Sequence, residues 1–151
     1  MRAYRICKAS RTATAFTGEG ARVNGGRWNE KGTKLVYCSS SVSLAMLEVL
    51  VHTPALPRDM MTIGVTIPDD VRVDTWTAED LPADWASPVP PAAIKILGSA
   101  WAAAGGAVAV RVPSAIVPSE TNLLVNPAHP DWLRCTMDPP ERVRFDVRLK
   151  T

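Results

Sequence analysis

Two histidines and three cysteines are all that 151 residues offer to a metal centre or a nucleophile–histidine pair. Cys7, Cys38 and Cys135 are odd in number and far apart, which fits neither a disulfide framework nor a zinc-ligand spacing, so no metal site is expected. They read as buried small side chains. A catalytic thiol at Cys38, the best placed, would need a histidine partner that His52 and His129 do not obviously supply. Aromatic residues make up 6%, no apolar run is long enough to span a bilayer, and the charged 21% are scattered, with a net charge of +2. Without a basic run, a direct nucleic-acid surface is not expected. The opening MRAYRICKAS has no apolar secretory core, so the expected location is the cytoplasm. Neither GEGARVNGG nor WAAAGGAVAV has the spacing of a phosphate loop or a dinucleotide fingerprint.

What is present suffices for a core. A hydrophobic content of 46% in a chain of this length supports folding without metals or disulfides, and residues 1–151 are expected to form a single domain. Of the 13 prolines, eight cluster at residues 54–57, 82–91 and 138–140, where they mark loops inside that domain rather than its boundaries.

The pattern predicts mixed helices and strands. Residues 3–7 read as a first strand, and residues 11–32 as a long glycine-punctuated loop with Phe16 as its anchor before Trp28. A strand over 34–38 leads to a helix over about 41–52, which Pro54 and Pro57 end. Strands follow at 60–68 and, shorter, at 71–76; residues 77–90 look irregular. Pro91 opens a helix carrying Ile94, Leu97 and Trp101, with Gly105 and Gly106 as its stop. Residues 107–113 suit a buried strand, and 143–149 alternate Val143, Phe145, Val147 and Leu149 with charged residues as a half-exposed strand would. Between them, residues 117–132 form a polar loop with Ser119, Asn122, Asn126 and His129. Such side chains line ligand sites and are equally the ordinary vocabulary of turns.

The chain is organised around residues 24–52, NGGRWNEKGTKLVYCSSSVSLAMLEVLVH. Any of Ser39, Ser40 and Ser41 can cap the helix, and Leu44, Leu47 and Val51 form its apolar stripe. Glu48 falls on that stripe, where an ionised carboxylate must be paired, hydrogen-bonded or shifted in pKa; it is either a site residue or a structural one. Arg27 follows Gly25 and Gly26, which let backbone and ligand approach closely; its fork suits a phosphate, or it is a surface arginine on a turn. Tyr37 ends the strand before the helix. His52 reads as packing or capping at the helix C-terminus.

The opening YRI, the Ala15–Phe16 pair, GEGARVNGGRWN, VYCSSSVSLAMLEVLVH, VPSAIVPSETNLLVNPAHPDW and the closing FDVRL occur in an order that resembles the RES domain, the toxin half of the bacterial RES-Xre type II toxin–antitoxin systems. The resemblance implies a single α+β domain of ADP-ribosyltransferase-like fold, with a split, mostly antiparallel sheet flanked by helices and a cleft between its halves. It implies an enzyme that degrades NAD by hydrolysis or phosphorolysis of the nicotinamide N-glycosidic bond. NAD is then a substrate rather than a cofactor, and inorganic phosphate a candidate co-substrate. Arg27, Tyr37 and Glu48 match the family's catalytic Arg, Tyr and Glu, and Ser119 with Asn122 its C-terminal substrate-binding pair. The implied partner is an Xre-family antitoxin that would carry any DNA binding. The competing readings are a transferase that ADP-ribosylates a protein, tested by whether NAD disappears without an acceptor protein, and a noncatalytic antitoxin-binding module.

Overall fold

The computed structural model describes residues 1–150. Its strands are β1 (Arg2–Lys8), β2 (Val36–Ser39), β3 (Met60–Thr66), β4 (Val73–Thr75), β5 (Ala109–Pro113), β6 (Thr121–Val125), β7 (Thr136–Met137) and β8 (Glu141–Val143). The helices are α1 (Glu19–Asn24), α2 (Val42–Leu50) and α3 (Ala92–Ala104). The strands form one sheet in the order β4-β5-β6-β2-β1-β3-β7, with β8 also on β3; only β4 and β5 run parallel.

That sheet almost divides. β1 pairs along its whole length with β3, and β2 pairs along its whole length with β6, yet β1 and β2 meet at a single pair, Tyr4 with Ser39. Two half-sheets therefore diverge from one junction, and the Arg5 guanidinium crosses the opening to donate from Nη1 to the Tyr37 carbonyl at 2.9 Å. The mixed α+β architecture with a mostly antiparallel sheet agrees with the expectation from sequence.

Four segments differ from their sequence reading. Residues 11–32 are not an open loop, because they hold part of a 3-10 turn (Ala9–Thr14) and the short helix α1, whose Glu19 pairs with Arg22 and Lys34. The polar loop at 117–132 conceals β6, a central strand whose Leu123, Leu124 and Val125 are consecutive buried residues. Covered on both faces, such a strand shows a short apolar run rather than an alternation. The strand expected at 143–149 ends at Val143: Phe145 enters the core, Val147 is 76% exposed, and the Asp146 side chain accepts from the Arg148 backbone N–H, closing a turn that competes with extension. On α2, Leu44, Ala45 and Leu50 are the buried residues, while Leu47 and Val51 are exposed.

The cluster beneath α3 carries the cleft wall. Trp28, Leu35, Leu81, Trp85, Ile94, Val110, Val112 and Leu124 are buried together. Trp76 lies between Trp28 and Trp101, at 5.9 and 6.3 Å, and the Trp101 indole N–H donates to Asp74 at 2.9 Å. Gly98 is where α3 touches the Trp28 backbone carbonyl, and any Cβ there would strike that oxygen. Alanine normally improves a helix interior by about 1 kcal/mol over glycine. Here the sign should reverse: Gly98→Ala is expected to lower stability by about 1–3 kcal/mol, the cost of overpacking, as read by urea unfolding.

Candidate active site

The opening between the half-sheets is a cleft of about 490 Å³. Its floor is lined by Tyr4, Arg5 and Ile6 of β1 and Tyr37, Cys38 and Ser39 of β2, one wall by Glu48, Val49 and His52, and another by residues 24–28 with Pro88 and Pro90. It falls within the size range of small-molecule sites.

Glu48 reaches it from α2. Ser41 is the serine that caps this helix, accepting from the Leu44 N–H at 3.1 Å. The carboxylate Oε1 accepts from the Ser114 hydroxyl at 2.9 Å and the Asn122 amide at 2.5 Å. Both donors are themselves held. Ser114 Oγ accepts from the backbone N–H groups of Ile116 and Val117, each at 3.1 Å, which commits its proton to Glu48. Asn122 Oδ1 accepts from the Ser39 hydroxyl at 2.7 Å, which turns its NH₂ toward Glu48. Oε2 has no hydrogen-bond partner among the described residues. The carboxylate is thus fixed through one oxygen and presents the other to a ligand.

Tyr37 is held differently. Its hydroxyl accepts from the Trp28 N–H at 3.0 Å and donates to Asn29 Oδ1 at 2.6 Å. Gly26 makes room for this, since a Cβ there would lie 2.5 Å from that hydroxyl. Buried Asn29 staples the turn, donating to the carbonyls of Ala21, Glu30 and Thr33. Burial pushes the Tyr37 phenol well above its ordinary range, so the group is a neutral structural pivot with its ring at the cleft.

Arg27 is half-buried on the opposite lip. Its Nη1 donates to the carbonyls of Trp85 and Ser87, both at 2.9 Å, and burial lowers its pKa while the Glu48 charge partly opposes that shift. Neither Arg27 nor Arg5 forms an ion pair among the described residues. Two half-buried cations facing one carboxylate leave the cleft short of negative charge, which favours an anionic ligand.

A RES domain family model matches residues 2–146. The chain belongs to the RES domain family. It is 39% identical over 131 residues to a protein named Toxin Res from Photorhabdus laumondii (85% of this chain, 83% of the relative) and 38% over 157 aligned positions to a Toxin Res from Yersinia enterocolitica (99% and 100%). It is 43% identical over 135 residues to a Prs ADP-ribosylating toxin from a Sphingobium strain (85% and 83%). With such relatives it is a RES-domain toxin. The crystal structure of the M. tuberculosis MbcT-MbcA toxin–antitoxin complex contains the same fold, with a TM-score of 0.71 and 23% identity over 98% of this chain and 85% of that one.

Within this RES domain, Arg27, Tyr37, Glu48 and Asn122 all line one cleft. Ser119 does not: it is exposed on the turn between β5 and β6 and makes no hydrogen bond among the described residues. The serine on Glu48 is Ser114, completely buried at the end of β5. Sequence reasoning also passed over Arg5, Asn29 and the position of His52 in the cleft lining. The alternation in β1 puts Arg5 on the face of Ala3 and Cys7, both buried, and that was a readable signal. Asn29 carried none.

Cys38 lies under the cleft as a buried thiol, pushed by burial up to about 12 from an ordinary 9.0, with the Arg5 charge opposing. The folded chain keeps a proton that the unfolded chain loses, so this contribution to stability is complete below about pH 9 and fades as pH rises toward 12. Cys38→Ala is expected to flatten the fall in unfolding free energy above about pH 9, and the native thiol to resist iodoacetamide near pH 8. An equal slope in both proteins, or rapid native alkylation, would contradict this assignment.

Proposed function

We propose that this RES-domain toxin cleaves the nicotinamide N-glycosidic bond of NAD, with water or inorganic phosphate as acceptor. The observation that carries the reading is Glu48, fixed through Oε1 by Ser114 and Asn122, with Oε2 unpartnered in an otherwise cationic cleft. The C1′–N bond breaks with its electron pair passing to the pyridinium nitrogen, so nicotinamide leaves neutral and needs no general acid. The incoming oxygen bonds to C1′ and, when water attacks, its proton passes to solvent as the one net proton that hydrolysis releases. What the protein must supply is position and negative charge beside the oxocarbenium-like ribose. Glu48 Oε2 suits both, by accepting from a ribose hydroxyl and lowering the energy of the developing cation. Arg27 Nη2 and Arg5 suit the pyrophosphate, while the Tyr37 ring, its hydroxyl already engaged, offers only its face.

A second reading has its own support: the Sphingobium relative is named as an ADP-ribosylating toxin, and transfer to a protein uses the same bond cleavage. The toxin–antitoxin complex of like fold supports an antitoxin partner, for which we propose an Xre-family protein that covers the cleft and carries any DNA binding. The proposed location is the cytoplasm; no helix among the described residues is long and apolar enough to cross a membrane.

Incubating purified toxin with NAD, with and without phosphate, and following products by NMR decides among these. Free nicotinamide with ADP-ribose marks hydrolysis; ADP-ribose 1-phosphate formed only with phosphate marks phosphorolysis. NAD that disappears only when an acceptor protein is added marks the transferase. Glu48→Gln is expected to lower turnover about 100- to 1000-fold with the fold intact. Ser114→Ala is expected to lower kcat about 10-fold or more, through misplacement of Glu48, whereas Ser119→Ala should match wild type. A damaging Ser119→Ala beside a silent Ser114→Ala would refute the assignment of the serine.

A further inference from the structure

The outer part of the lip formed by residues 87–90, Pro88 to Pro90, has no hydrogen bond of its own among the described residues. Trp85 is buried with Leu81 in the cluster beneath α3, and the Trp85 and Ser87 N–H groups close turns onto Pro82 and Asp84. Beyond Ser87 the chain reads Pro88, Val89, Pro90, and no backbone or side-chain group of these residues is hydrogen-bonded among the described residues. Prolines have no N–H to donate and present stiff, apolar ring faces. Pro88 and Pro90 nonetheless line the cleft, while Val89 between them is 81% exposed. What sets their position on the cleft side is the Arg27 guanidinium, whose Nη1 holds the carbonyls of Trp85 and Ser87 together. An arginine needed only for a ligand anion would have no use for this clamp, which engages Nη1 and leaves Nη2 and Nε without a hydrogen bond among the described residues.

We propose that residues 87–90 form a specificity wall that seats one planar heteroaromatic ring of the dinucleotide against Pro88 and Pro90, and that Arg27 is the positioning residue of that wall. This rests on the reading of the cleft as an NAD site. Arg27 then has two tasks on one planar group: Nη1 fixes the wall, and Nη2 and Nε remain for the pyrophosphate. Ligand binding and wall position are coupled, since a guanidinium drawn toward the anion also draws the two carbonyls. The seated ring is either nicotinamide or adenine; both are flat and apolar on their faces, and proline rings suit either.

Two measurements test this, the first without NAD. Amide hydrogen exchange in wild type and in Arg27→Lys and Arg27→Ala should show the hydrogen-bonded amides of Trp85 and Ser87 exchanging at least about 10-fold faster in both variants, with Ile94 in α3 unchanged as the control for folding. In the second, Pro88→Ala/Pro90→Ala, which alters only the lip, should raise KM for NAD roughly 10-fold, more than it lowers kcat. Its preference between NAD and the nicotinic acid or hypoxanthine dinucleotide analogues should also change. A change confined to the nicotinic acid comparison places nicotinamide on the wall; one confined to the hypoxanthine comparison places adenine there. Adding Arg27→Lys to the proline variant should raise KM by less than the product of the separate effects, because both act on one wall. Unchanged exchange in both Arg27 variants would overturn the clamp, and unchanged KM and preferences in the proline variant would overturn the wall. Wild type that cleaves no NAD would remove the functional reading and the ring assignment, while the exchange result would still decide whether Arg27 holds the segment.

Discussion

A carboxylate drawn partly out of water has to be satisfied, and the way Glu48 is satisfied organises the structure around it. One of its oxygens collects hydrogen bonds from the end of β5 and from β6, while the residue itself stands on α2. Those elements converge only because β6 lies between β5 and β2, with the short link at residues 40–41 turning the chain from β2 straight into α2. The donors are also committed in advance: Ser114 by two backbone N–H groups, Asn122 by the hydroxyl of Ser39. Preorganisation of this kind places charge where a cationic transition state needs it, without reorganisation during the reaction.

The near-division of the sheet supplies the other half of the design. Had β1 and β2 paired along their length, the ladder would have filled the space that the cleft occupies. Joined at Tyr4 and Ser39 alone, they leave an opening into which Arg5, Tyr37 and Glu48 project, bridged by the Arg5–Tyr37 hydrogen bond. Arg27 faces Glu48 from the far lip. A cleft with two unpaired cations and one held carboxylate is matched in charge to a molecule that is anionic along its length and becomes cationic at one carbon, as a dinucleotide does during loss of nicotinamide.

Much of this was legible from the residues. The strands at 3–7 and 60–68, the helix from Pro91 and the placing of Arg27, Tyr37 and Glu48 near one another follow from local pattern and family likeness, with boundaries off by a residue or two. The misreadings share a cause: each pitted a local signal against a tertiary one. Thr121 and Asn122 sit among turn-forming residues, yet β6 is central because β5 and β2 both lack a neighbour there. Leu47 and Val51 keep helical spacing with Leu44 but face outward, because α2 packs through Ala45 and Leu50 against Ile6, Met60 and Phe145. Two serines on the same connection, five positions apart, look alike as letters; only the turn that buries Ser114 and exposes Ser119 separates them. The Arg27 clamp on residues 85 and 87 was beyond reach of the sequence, since its acceptors are backbone carbonyls.

The central claim is that Asn122 acts through Glu48, and a double-mutant cycle on NAD turnover tests it most directly. With Asn122→Ala, Glu48→Gln and the pair compared under single-turnover conditions, the doubly substituted protein should be no slower than Glu48→Gln alone, because an amide has nothing to position once the carboxylate is gone. Multiplicative losses would show that Asn122 contacts the substrate independently, and the carboxylate would no longer be the point on which the site depends.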